Sequence, residues 1–107
     1  MRKFKGDDMV GGWFVGNFEP TVYKTKEFEV CYKQYCKGEK WPSHYHNGIE
    51  INYLIHGRMY VNDAFVCAGD VFVLDSGEVV RPEFLDDCEL IVVKVPSDPN
   101  DKYIVED

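Results

Sequence analysis

The sequence predicts an all-β fold built from many short strands. Nine glycines and five prolines interrupt the chain, and the segments between them are rich in Val, Ile, Tyr and Phe, as strands usually are. No segment of ten or more residues has apolar residues at helical spacing without a glycine or proline inside it. Small domains with such closely spaced turns fold as sandwiches or barrels.

We expect seven strands, and in chain order they are Trp13–Val15, Glu27–Tyr35, Ile49–Ile55, Arg58–Val61, Ala64–Cys67, Val71–Leu74 and Glu89–Val95. Asn62 and Asp63 form a two-residue hairpin turn between two of them, because both residue types tolerate positive φ. The N-terminal arm, 1–26, is expected to pack its aromatic side chains on a sheet. The tail, 97–107, looks peripheral, although Tyr103–Val105 is a candidate edge strand.

Length and charge limit the classes of partner. The 107 residues, 45% hydrophobic and 15% aromatic, suffice for one core, so we expect a single domain over 1–107. Twelve basic against 19 acidic residues give a net charge of −7, which repels nucleic-acid phosphates and anionic lipid head groups. No apolar stretch approaches the ~20 residues that span a bilayer, and Met1–Asp8 lacks the apolar segment of a signal peptide. We expect a cytoplasmic protein without nucleic-acid or membrane partners.

The cysteines do not predict a disulfide or zinc framework. Their spacing contains no C-x-x-C pair, and no export signal accompanies them. We therefore expect four reduced, mostly buried thiols, namely Cys31, Cys36, Cys67 and Cys88.

One short stretch, 44–50, contains candidate metal-binding residues. His44 and His46 are two residues apart, so they point to the same face of a strand. Asn47 and Gly48 favour a turn, which brings Glu50 back to that face. Two imidazoles and a carboxylate with open positions suit iron(II), and also Zn, Ni or Mn. A His-x-His also occurs by chance beside surface turns, but the added carboxylate and the flanking glycines favour a site.

This stretch resembles the first motif of the cupin superfamily, G-x5-H-x-H-x3-E-x6-G, and its fixed positions are filled by Gly38, His44, His46, Glu50 and Gly57. The second motif, G-x5-P-x-G-x2-H-x3-N, is matched only by Gly69 and Gly77. The departures are Asp75 for Pro, Val80 for the third metal-binding histidine, and Phe84 for Asn. The resemblance covers about 38–84.

The resemblance implies a single-domain jelly-roll β-barrel that forms a homodimer. It implies a divalent metal (Fe, Zn, Ni or Mn) on His44, His46 and Glu50, in a ligand set left incomplete by Val80. The implied activity is that of an oxygenase, isomerase, epimerase or lyase on a small polar metabolite, sugar-related or an organic acid. The alternatives are a non-catalytic ligand-binding or sensory module with a lost or weakened metal site, and a dimeric scaffold with a vestigial pocket.

Four further residues are candidates for ligand contacts. Asn52 is in phase with the site carboxylate and can donate and accept hydrogen bonds. Trp41 would form a wall of the pocket mouth. Arg81, beside the position of the missing histidine, suits a carboxylate or phosphate. Glu78 is either a substitute metal ligand or a solvated turn residue.

Overall fold

The structure is a computed structural model that describes residues 1–106. It contains one 3-10 turn at Gly6–Asp8 and ten strands: β1 Trp13–Val15, β2 Glu29–Tyr35, β3 His44–Tyr45, β4 Ile49–His56, β5 Arg58–Val61, β6 Ala64–Cys67, β7 Val71–Leu74, β8 Pro82–Phe84, β9 Cys88–Val95 and β10 Tyr103–Ile104. The all-β prediction is confirmed.

The strands form two layers. The large sheet has the antiparallel order β1-β2-β9-β4-β7. The other layer consists of the sheets β6-β5-β8 and β10-β3, and a bridge between His44 and Val80 connects β3 to the segment that leads into β8. Within the described residues the layers remain separate sheets rather than one closed barrel.

The inward face of the large sheet is apolar at one end and charged at the other. The apolar part belongs to one core cluster, which contains Cys31, Leu54, Met59, Val61, Val66, Leu74, Val80, Phe84, Cys88, Leu90 and Val92. At the charged end, the register places Lys94 of β9 between Glu29 of β2 and Glu50 of β4. Both neighbours of the lysine are therefore carboxylates.

The outward face of the same sheet is apolar over three neighbouring strands. Ile51 of β4 pairs with Val73 of β7 and Val93 of β9, and Tyr53 pairs with Val71 and Ile91. We call this surface the outer apolar face, and it consists of Ile49, Ile51, Tyr53, Ile55, Val71, Val73, Ile91, Val93 and Val95. Tyr53 remains 47% exposed and Val71 58% exposed, so the described chain leaves this face uncovered.

The predicted strands are largely confirmed, and two strands were missed. The Asn62 turn has a φ of 56° as expected for the hairpin, and β5 and β6 on either side of it have the predicted bounds. The missed strands are β3 and β8. Strand β8 begins with Pro82, a residue that argues against a strand in sequence but is tolerated at the first position of one.

The cysteine prediction is only partly right. All four are free, but Cys36 and Cys67 are exposed and only Cys31 and Cys88 are buried. Burial raises the pKa of Cys31 to about 12, so this thiol stays protonated at neutral pH. Residues 1–106 contain no helix with the length and apolarity needed to cross a membrane.

Candidate functional site in the cavity

A cavity of about 410 Å³ lies between the two layers. Its volume is within the range of small-molecule pockets, which is roughly 300–1,000 Å³. One wall is aromatic: the Tyr35 ring stacks on Phe84 with centroids 4.4 Å apart and meets Trp41 edge-on at 5.7 Å. The lining also includes the polar side chains of His44, His46, Glu50, Asn52 and Lys94, which we call the polar floor. The cavity therefore combines apolar walls with a polar floor.

The turn between β3 and β4 brings the histidines and the carboxylate together, as predicted from their spacing. The His44 and His46 rings are 5.1 Å apart at 85°. Gly48 allows the tight approach of this turn to β9, because a Cβ at that position would lie 2.6 Å from the carbonyl oxygen of Val95. Past the glycine, β4 returns Glu50 to within reach of His46.

His46 and Glu50 form a nearly buried pair, with Nδ1 and Oε2 separated by 3.0 Å. Burial lowers the pKa of His46 to about 4, helped by the positive charge of Lys94. Burial also raises the pKa of Glu50, against the opposing effect of the same lysine. His46 is thus neutral at pH 7, and with Glu50 ionised its Nδ1–H donates to the carboxylate. The Nε2 lone pair remains free.

His44 is held in the same tautomer by the backbone. Its Nδ1 lies 3.0 Å from the carbonyl oxygen of Pro42, which can only accept, so Nδ1 donates and Nε2 keeps its lone pair. Burial lowers the pKa of His44 as well. Both imidazoles are therefore neutral ligands or proton acceptors through Nε2.

Val80 lies directly beside His44. The two residues exchange backbone hydrogen bonds of 2.8 and 3.2 Å, and Gly77 donates a 2.8 Å bond to the carbonyl oxygen of His46. The Val80 side chain is buried and lines the cavity, where the motif has a metal-binding histidine. Across residues 1–106, no group of three or more His, Cys, Asp or Glu side chains is arranged to hold a metal ion.

Comparison with solved structures shows which fold this is. A cupin of the RmlC-like type from Shewanella frigidimarina NCIMB 400 has a TM-score of 0.63 at 19% identity over 71% of this chain and 72% of that one. Oxalate decarboxylase from Bacillus subtilis reaches 0.66 at 20% identity over 75% of this chain and 24% of that one. The DMSP lyase DddQ from Ruegeria pomeroyi DSS-3 reaches 0.68 at 15% over 85% and 48%.

The chain has a cupin fold. This confirms the resemblance seen in the motif. The chain spans only 52% of a cupin-like protein of unknown function from Ralstonia eutropha JMP134 and 24% of the decarboxylase. No family model matches the sequence, and no curated protein does.

Two of the four further candidates for ligand contacts line the cavity. Trp41 lines it, and so does Asn52, which is buried. The Asn52 amide lies near enough to the Glu50 carboxylate to lower the pKa of that group as a hydrogen-bond donor, yet its Nδ2 makes no hydrogen bond of normal length and angle within the described residues. Glu78 and Arg81 are not among the lining residues. Glu78 accepts a bond from the Asp75 backbone instead, and Arg81 is exposed.

Five charged residues that line the cavity were not predicted from the sequence, namely Glu19, Glu29, Lys33, Lys94 and Lys102. Lys94 is buried, and its Nζ lies 3.4 Å from Oε1 of Glu29. Lys102 lies with its Nζ 4.5 Å from the centroid of the Trp41 ring. For Lys94 a signal was present, because it is in phase with buried Leu90 and Val92 on a strand with the burial alternation of a sheet face.

The C-terminal tail fixes the site turn, so it is not peripheral. Asp101 is buried, and its two carboxylate oxygens accept 2.8 Å bonds from the backbone N–H groups of Asn47 and Gly48. Burial alone would raise the pKa of Asp101, but these two bonds outweigh it and lower the pKa below its ordinary value. Its carbonyl oxygen also accepts a 3.3 Å bond from Lys94.

We expect Asp101→Asn to destabilise the protein by roughly 2 kcal/mol at pH 7, because an amide replaces one of two charge-assisted acceptors with a donor. Urea unfolding measures the loss. The lowered pKa of Asp101 contributes stability at neutral pH that disappears as the pH falls below 3.8, so the difference between variant and wild type should shrink there. Asp98→Asn is the matched control, since Asp98 is exposed and, within the described residues, its carboxylate accepts only from the backbone of the nearby Asn100. Equal losses of stability in both variants would show that the Asp101 carboxylate does not hold the turn between β3 and β4.

Proposed function

We propose that the cavity binds a small polar metabolite whose polar end meets His44, His46, Glu50 and Asn52. The observation that carries the proposal is the Asn52 amide: its Nδ2 is buried, lines the cavity and has no hydrogen-bond partner among residues 1–106. An unsatisfied buried donor costs about 1–3 kcal/mol, and a ligand acceptor in the cavity removes that cost. The neutral imidazoles offer two further acceptors beside it.

If the ligand is a substrate, the His46–Glu50 pair supplies a proton acceptor. Nε2 of neutral His46 takes a proton from the ligand, and Glu50 at 3.0 Å from Nδ1 stabilises the imidazolium that forms. Such acid–base work fits isomerase, epimerase or lyase chemistry. The solved cupins of similar fold include a decarboxylase and a lyase by name, which supports this class of reaction without selecting a substrate. The competing proposal is a non-catalytic binding or sensory module.

A second proposal is that the same donors hold a divalent metal. The donor chemistry fits, since both imidazoles have Nδ1 engaged, to Pro42 and to Glu50, and both keep Nε2 for a cation. His44 and His46 would hold Fe, Zn, Ni or Mn, with Glu50 as the carboxylate. A bound cation would supply a Lewis acid beside the ligand. One oxalate decarboxylase of similar fold is described by its Mn(II) centres. Binding should be weak, because Val80 offers no donor.

We further propose that the protein is a cytoplasmic homodimer that pairs through the outer apolar face. A net charge of −7 makes two copies repel each other. The residues of the outer apolar face, on β4, β7 and β9, carry no charge, so this face allows two copies to approach. Pairing the same face on both copies gives a closed two-fold dimer. The four free cysteines fit a reducing compartment.

We expect Asn52→Leu to keep or raise stability while abolishing ligand binding. Leucine is close to asparagine in size, and it removes the unsatisfied donor, which is worth up to about 1–3 kcal/mol. The measurement is a thermal-shift screen of sugars and organic acids on chelated protein, where a ligand at 100 times its Kd stabilises by about 2.7 kcal/mol. The proposal fails if the variant loses stability yet responds to the same compounds as the wild type.

The same screen, repeated with Mn²⁺ or Zn²⁺, decides between the metal-dependent and metal-independent forms of the function. Elemental analysis should find a bound divalent ion in wild type, none in His44→Ala/His46→Ala, and an unchanged content in His56→Ala, whose exposed ring is at the end of β4. Equal metal content in all three proteins would remove the metal proposal and leave the ligand proposal standing.

We expect Ile51→Glu to convert the dimer to a monomer in light scattering after gel filtration, because it places two like charges in the centre of the proposed interface. Tyr60→Glu is the control. Tyr60 is similarly exposed, 37% against 38% for Ile51, but lies on the other layer. A wild-type monomer, or a dimer that survives the Ile51 change, would contradict the interface.

A further inference from the structure

The residues that line the cavity have a much less negative charge balance than the chain as a whole. Three lysines line it, Lys33, Lys94 and Lys102, against three glutamates, although the whole chain has 12 basic and 19 acidic residues. Lys94 and Lys102 line the same cavity as His44 and His46, so both ammonium groups belong to this site.

The carboxylates of the cavity are already engaged. Glu29 pairs with Lys94 at 3.4 Å, Glu50 with His46 at 3.0 Å, and Glu19 with Lys24 at 3.3 Å. In the part of the chain that the structure describes, no carboxylate oxygen lies within 4.0 Å of Lys102 Nζ. Its ammonium rests over the Trp41 ring at 4.5 Å instead. Lys33 also has no carboxylate partner among the described residues, but its Nζ donates a 2.9 Å bond to the carbonyl oxygen of Gly11. Lys102 is therefore the cavity lysine that has neither a counter-ion nor a side-chain hydrogen bond within residues 1–106.

Lys102 also lies at a fixed place. It follows Asp101, whose carboxylate is bonded to the site turn, and precedes β10, which pairs with β3. The Trp41 ring on which it rests contacts Tyr35, and Tyr35 stacks on Phe84. A positive charge and a continuous aromatic wall therefore meet on the same side of the cavity.

We propose that the ligand is a small organic anion with a flat or apolar body, its oxyanion group, carboxylate or phosphate, bound by Lys102 and its body lying against Trp41, Tyr35 and Phe84. This rests on the proposed function and names its ligand class. The oxyanion of the ligand supplies the counter-charge that Lys102 lacks, and the ammonium meets it as a point charge with three donors. Asn52 and the histidines then contact the same polar end of the ligand, as in the proposed function, and Lys102 is a specificity-determining residue.

The experiment compares acids with neutral analogues of the same shape. Isothermal titration measures benzoate against benzamide, and phenyl phosphate against phenol, on wild type, Lys102→Met and Lys102→Arg, with Lys37→Met as the control. Lys37 is exposed and is not among the cavity-lining residues. A charge-assisted bond is worth about 1.5–3 kcal/mol, so wild type should prefer at least one acid by roughly tenfold or more.

Lys102→Met should abolish that preference by weakening the acid roughly tenfold while the neutral analogue changes little. Lys102→Arg should retain the preference, and Lys37→Met should behave as wild type. The preferred acid identifies the source as carboxylate or phosphate. Binding of the neutral analogue as tightly as the acid, or no binding of either acid, overturns this inference. Equal binding of acid and neutral analogue would leave the proposed function intact. The absence of any ligand in the wider thermal-shift screen would remove both this inference and the proposed function.

Discussion

The charged end of the cavity depends on a lysine lodged between two carboxylates inside a sheet. Lys94 is buried, and the antiparallel register puts Glu29 on one side of it and Glu50 on the other. A buried ammonium costs several kcal/mol in lost hydration unless it is paired and hydrogen-bonded. Here it is paired with Glu29 at 3.4 Å and bonded to the carbonyl oxygen of Asp101 at 3.3 Å. Its charge also opposes the rise in the pKa of Glu50.

The segments outside the cupin motif complete the pocket. The motif supplies the histidines and Glu50, but Asp101 holds the turn between them and Lys102 supplies a cation. The arm contributes Trp13, whose ring lies 5.6 Å from Lys94 Nζ, so that buried charge meets an aromatic face as well. The site thus joins both ends of the chain to its centre, and loss of the tail would free the turn as well as remove a charge.

What could be predicted from the sequence was local. The Asn62 turn and the phase of His44 and His46 follow from neighbouring residues, and the structure has them as expected. The phase of Lys94 with Leu90 and Val92 indicates an inward side chain. The partners of Lys94 and Lys102 could not be found in this way, because they are brought in by strand register and by the tail's pairing with β3. Adjacency in the sequence also did not place Arg81 in the cavity. It follows buried Val80, the position of the missing histidine, and is itself exposed.

A double-mutant cycle on Lys94 and Glu29 tests the account most directly, with the unfolding free energy of wild type, Lys94→Met, Glu29→Gln and the double variant measured in urea. Each single change should cost about 3–5 kcal/mol, because it leaves one buried charge unpaired. The double variant should cost clearly less than the two losses added together, with a coupling energy of roughly 2 kcal/mol. Losses that simply add, or single changes that cost nothing, would show that this pair does not hold the floor of the cavity.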